Sequence, residues 1–175
     1  MITVHKIITP DSSKSELKTK EVTINPNHIV KFEESQKASS TSTITLSNGT
    51  DIDVHHEYSM LVHQIRKSTP LFRSIEVNHV LTFPSKTALL KTCKATINIE
   101  YLVSYEEINL HSSPFIGSAD GTLILLSTKS DMRVAENCKS IRCKISEAQN
   151  NFWPKYRRKT CLYSRTCFFL SNKYC

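Results

Sequence analysis

Apolar and polar side chains alternate along most of this chain, the period-two signature of strands with one buried face. Such runs predict strands near residues 2–9, 17–24, 29–34, 42–47 and 50–55. Pro26 lacks an N–H and has a fixed φ, which predicts a turn after the second strand. Asn48-Gly49 between the fourth and fifth strands predicts a two-residue hairpin turn. The period then changes. In EYSMLVHQIRK (57–67), Met60, Leu61 and Ile65 recur at helical spacing, which predicts a helix covering its own sheet.

The series is written twice. Shifted by 73 residues, positions 1–34 match 74–107 at 13 of 34 places without a gap. TINPNHIVKFEE (23–34) and TINIEYLVSYEE (96–107) carry the clearest part. The register resumes at a shift of 80, where TITLSNGTDIDV (43–54) aligns with LILLSTKSDMRV (123–134). AENCKSIRCKISEAQ (135–149) then stands where the first helix does, with Cys138, Ile141 and Ile145 on one face. The change of shift puts seven extra residues into the loop INLHSSPFIGSADG (108–121), which a surface loop tolerates cheaply. The second copy has Ile99 in place of Pro26 and Thr128-Lys129 in place of Asn48-Gly49.

This pattern predicts an α+β fold, mainly antiparallel β, made of two homologous five-strand-plus-helix units in tandem. The first unit spans 1–69 and the second 72–147, with STPLFR (68–73) as connector and 148–175 as a tail. Units of half the chain's 175 residues are marginal alone, so the two are expected to pack together.

Composition adds limits. No apolar run approaches the ~20 residues that span a bilayer, and the first residues lack the pattern of a secretory signal. A cytoplasmic protein with no membrane role is expected. Cys93, Cys138 and Cys143 fall in or beside apolar segments and read as small buried hydrophobes. Cys161, Cys167 and Cys175 share the tail, and no Cys-x-x-Cys pair occurs. The seven histidines show no zinc spacing; His55, His56 and His63 read as decoration of a strand end and a helix. No metal, cofactor or disulfide is expected.

The net charge of +7 is unevenly placed. Residues 152–175 hold Lys155, Arg157, Arg158, Lys159, Arg165 and Lys173 and no acid, so six of the seven net charges lie there. The same tail carries half of the aromatic residues. Cations interleaved with aromatics neutralise phosphates and stack on bases. Trp153, Lys155, Tyr156, Arg157, Arg158, Lys159 and Arg165 are therefore the candidate nucleic-acid contacts.

Catalytic chemistry finds little support. Gly49, Gly117 and Gly121 are the only glycines, too few and too scattered for a phosphate-cradling loop. Glu33-Glu34 and Glu106-Glu107 are neighbours on predicted strands, so their carboxylates point to opposite faces and share no proton. They read as solvated strand ends. No spacing supports a cysteine nucleophile beside His63 or His111. A non-enzymatic protein is expected.

MITVHKI at the start, INPNHIVKFEE (24–34) and TITLSNGTDIDV (43–54) resemble the FlbD-like small proteins of bacteria over about 65 residues of the first copy. The resemblance implies small cytoplasmic domains linked to flagellar motility, with no catalytic residues. INPNHIVKFEE, ITLSNGTDIDV, SMLVHQI and LFRSIEVNHV also look like a LytTR-type DNA-binding domain. That likeness implies two halves of one β-rich domain contacting DNA, here with Arg73 as the one basic residue of Phe72-Arg73-Ser74-Ile75.

Two functions follow as expectations. One is a regulatory or adaptor protein binding DNA or RNA, mainly through the basic-aromatic tail. The other is a protein-interaction or assembly module, open to self-association because edge strands accept further strands.

Overall fold

In β1 (Ile2–Ile8) the alternation holds over the first four residues, with Ile2 and Val4 buried and Thr3 and His5 exposed, and lapses from Lys6 on. The computed structural model describes residues 1–8, 18–35, 40–82, 90–110 and 120–150. β1 pairs antiparallel with β2 (Lys18–Ile24). β3 (Ile29–Glu34), β4 (Ser42–Leu46) and β5 (Asp51–Val54) form a meander whose last strand returns beside β1. Helix α1 (Tyr58–Ser68) follows.

The same series then occurs again. β6 (Ser74–Thr82), β7 (Lys91–Asn98), β8 (Leu102–Asn109), β9 (Asp120–Leu126) and β10 (Asp131–Val134) lead into α2 (Cys138–Asn150). The strand order is β2-β1-β5-β4-β3 in the first half and β7-β6-β10-β9-β8 in the second. Where two packed five-stranded sheets were expected, β3 pairs with β7 and joins all ten strands into one antiparallel sheet.

Each half has its own core. Phe32, Ile44, Leu61 and Ile65 anchor the first, beneath α1, and Ile97, Ile124, Met132 and Ile141 anchor the second, beneath α2. The two cores lie on opposite faces of the sheet. Directly paired residues share a face and successive residues alternate. Phe32 pairs with Thr96, which places Thr96 on the α1 face, so its neighbours Ala95 and Ile97 point to the α2 face. A bulge between Ile29 and Lys31 lets Ile29 enter the first core while Val30 turns into the second.

The ends of the elements have local causes. Asn25 and Asn98 each accept a hydrogen bond from the backbone N–H two residues on and start a short 3-10 turn, Pro26–His28 and Ile99–Tyr101. The turn therefore survives without proline. The second helix starts at Cys138 and not at 135, because Asn137 Oδ1 caps it, accepting from Ser140 N at 2.9 Å. The long loop is shorter than expected: β8 runs on to Asn109 and β9 begins at Asp120. Gly121 is required there, since a Cβ would lie 2.7 Å from the Val134 carbonyl oxygen.

The hairpins after β4 and β9 also differ from expectation. Leu46 N donates to Thr50 O and Gly49 N to Leu46 O, closing a three-residue loop with Gly49 at φ +81°. The loop after β9 has the same bonds, from Leu126 N to Ser130 O and from Lys129 N to Leu126 O. Lys129 occupies the left-handed position at φ 63°, where a Cβ is unfavourable. Lys129→Gly is expected to raise stability in chemical denaturation by about 0.5–1 kcal/mol, the relief of strain exceeding the added chain entropy.

Candidate functional site

The side chains that do most chemistry collect where β3 meets β7. On the α1 face, the Tyr58 ring packs tilted against Phe32, with ring centroids 5.5 Å apart. Its hydroxyl lies 2.6 Å from Thr96 Oγ1 and donates to Glu76 Oε2 at 3.4 Å. Burial, with the Glu76 carboxylate nearby, holds this phenol well above its ordinary pKa, so it stays a neutral hydrogen-bonding group. A helix of the first half thus reaches two strands of the second.

On the α2 face, Glu33 of β3 meets Lys31 Nζ at 3.2 Å and His79 Nδ1 of β6 at 2.8 Å. Cys93 of β7 is the direct strand partner of His79. Burial pushes the Glu33 carboxyl up, but the His79 hydrogen bond and the Lys31 charge outweigh it, and its pKa falls below the ordinary 4.5. Burial, reinforced by the Glu33 and Glu34 carboxylates, pushes the Cys93 thiol up to about 11. That thiol is protonated at neutral pH and is a poor nucleophile.

Glu33, His79 and Cys93 bring three potential ligand atoms within 4.8 Å of one another, the only such group among the described residues. Carboxylate, imidazole and thiolate suit a divalent transition metal. Binding one here requires displacing Lys31 from Glu33 and stripping the proton from Cys93. As it stands the group is a hydrogen-bonded clasp, Glu33 to His79, closing one end of the seam. Further bonds cross the same line: Lys94 N donates to Glu34 Oε2, Asn98 Nδ2 to Ile29 O and Tyr101 OH to Asn27 O.

Several expectations change against this geometry. Glu33 and Glu34 are not solvated strand ends, since β7 and β6 cover them; Glu106 and Glu107 on β8 are exposed. Cys93 is buried, Cys138 is half-buried and Cys143 is exposed. Cys143 stands two residues past buried Ile141 and so faces away from the core, while Ile145 packs against it. His56 stacks on His5 at 5.5 Å, and burial, then the charges of His5 and His55, lowers its pKa. With His63, Met60 and Gln64 it lines a shallow depression beside α1. Trp153, Lys155, Tyr156, Arg157, Arg158, Lys159 and Arg165 lie outside the described residues.

The sheet leaves β2 and β8 as its edges, each with one strand neighbour among the described residues. β8 carries Val103, 59% exposed, beside a bulge between Leu102 and Ser104.

A carboxylate whose folded pKa lies below its unfolded value stabilises the fold above the unfolded value and loses that effect as pH falls. The Glu33 contribution is thus expected to fade below about pH 4.5. Thermal melts of Glu33→Gln should show a shallower loss of stability through that window than the parent; an identical slope would contradict the pairing.

No family model, curated protein or solved structure matches this chain.

Proposed function

We propose that the chain is a non-enzymatic interaction or assembly module, built from a duplicated five-strand-plus-helix unit, that takes protein partners by strand addition at its sheet edges. One observation carries this reading: a ten-stranded sheet ends in a seven-residue strand on one side and an eight-residue strand on the other. Unpaired edge N–H and C=O groups are a template for a further strand, with side-chain pockets adding selectivity. Val103 offers an apolar anchor on one of them. The polar cluster at the seam supports a structural role over a catalytic one, because its carboxylate is already ion-paired and its thiol is protonated.

Quantitative affinity purification with the full chain and with Val103→Asp tests this. Partners held by the edge should drop at least tenfold for the variant while its melting temperature stays near the parent's. A partner set indifferent to edge substitutions at both Val103 and Thr23 would remove the reading.

The placement of charge favours a second reading, nucleic-acid binding by the tail through Lys155, Arg157, Arg158, Lys159 and Arg165 with stacking by Trp153 and Tyr156. About six phosphate contacts give a log–log salt slope of up to roughly −5 on duplex DNA. Fluorescence anisotropy with duplex DNA and single-stranded RNA should then show a flatter slope for full-length chain with Arg157, Arg158 and Lys159 changed to Ala. No binding by the parent at low salt would eliminate this reading.

A further inference from the structure

We infer that β8 of one copy adds to β2 of the next, so that the chain assembles head to tail with itself; this rests on the strand-addition reading above and names its partner. The molecule contains its own template for the contact. β3 occupies in the first half the place that β8 occupies in the second, and β7 the place of β2. The β3–β7 pairing is therefore an edge contact of the kind that, among the described residues, β8 and β2 leave unmade.

Burial compared position by position makes the same point. Val30 on β3 is 0% exposed because the second half covers it; its equivalent Val103 on β8 is 59% exposed. Both stand at the same bulge in their strands. Ile29, Phe32 and Glu33 are each more covered than their equivalents Leu102, Tyr105 and Glu106. On the other side, Cys93, Ala95 and Thr96 of β7 are buried, while Lys20 and Thr23 of β2 are exposed and Val22 is half-buried. The residues that lose coverage are those the seam would cover.

The seam also fixes register and direction. Lys31 opposite Ile97, Phe32 opposite Thr96 and Glu33 opposite Ala95 translate into Ser104 opposite Ile24, Tyr105 opposite Thr23 and Glu106 opposite Val22. All neighbours in the sheet are antiparallel, and α1 and α2 cover opposite faces. The second half therefore follows the first by a half-turn about an axis across the strands plus a step of five strands. A half-turn with a step does not close, so repetition gives an open ribbon, not a ring.

Charge opposes the alternatives. β8 carries Glu106 and Glu107 and no basic residue, whereas β2 carries Lys18 and Lys20 against Glu21. Pairing β8 with β8 gathers acids and pairing β2 with β2 gathers lysines; β8 on β2 brings Glu106 near Lys20, on the diagonal from Val22. Extending the register puts Glu107 opposite Glu21, the one like-charge pair, which keeps the contact weak and reversible.

Sedimentation of the full chain under reducing conditions, over a wide concentration range, tests the inference. The parent should grow in mass without a plateau. Val103→Asp blocks the β8 edge, and Thr23→Asp, on the diagonal from Glu107, blocks the β2 edge by like charge; both sites are exposed, so each variant should fold and remain at the 20.0 kDa monomer mass. Mixed together, the two should form a 1:1 dimer and nothing larger, because each supplies the edge the other lacks. Glu107→Lys should shift assembly to several-fold lower concentration. A parent that stays monomeric, a plateau at a closed dimer, or a mixture that stays monomeric overturns the proposal. If the parent is monomeric but edge variants still lose a purified partner, strand addition stands and only the identity of the occupant is wrong.

Discussion

The pairing of β3 with β7 is the constraint from which the rest of this architecture follows. A single step along a strand reverses the face a side chain points to. Because Phe32 sits opposite Thr96, the second core must form on the reverse side of the sheet from the first. That one register decides which face each helix covers and where the chain's edges fall. It also gives Val30 its burial, worth about 1.5–3 kcal/mol for a valine side chain. A slip of one residue would bring the second core round to the α1 face and put Glu33 and His79 on opposite sides of the sheet.

Polar groups enforce that register more sharply than the apolar ones do. An apolar side chain tolerates a neighbour of similar size, but a half-buried carboxylate left without its hydrogen-bond partner across the seam does not. Leaving such a group unsatisfied costs about 1–3 kcal/mol, more than the intact hydrogen bond contributes net. Glu33 with His79 on one face, and Tyr58 with Thr96 on the other, therefore penalise misalignment from both sides. Tyr58 also ties the halves together, since its ring belongs to the first core and its hydroxyl to strands of the second. Glu136 has a more local task in the second half, accepting from Asn78 N and Lys144 Nζ and holding α2 to β6.

Elements governed by short-range pattern were legible in the sequence. The ten strands follow from alternation, and the two helices from Leu61/Ile65 and Ile141/Ile145 recurring at a period near 3.6 residues. Turn details were less so, because Asn48-Gly49 suits two hairpin lengths and only the Leu46–Thr50 bond decides between them. The seam was not legible. Glu33, His79 and Cys93 are far apart along the chain, and their meeting depends on which strands become neighbours, a property that local alternation does not encode. TINPNHIVKFEE and TINIEYLVSYEE look alike, yet Glu33 is covered and Glu106 open, because sequence similarity is blind to which copy has a strand beside it.

The seam also sets an order of events during synthesis. β3 ends at Glu34 and β7 begins at Lys91, so 56 residues, positions 35–90, separate them. At about 5–20 residues per second the ribosome needs roughly 3–11 s to deliver the partner strand. Once α1 has emerged within that interval the first half can close its own core beneath it, but Val30 and Glu33 wait uncovered on the other side until β7 follows. On a crowded message, a β7 strand emerging from a neighbouring nascent chain presents the same residues as the chain's own. The time taken to translate 35–90 thus sets how long β3 stands open to any such strand.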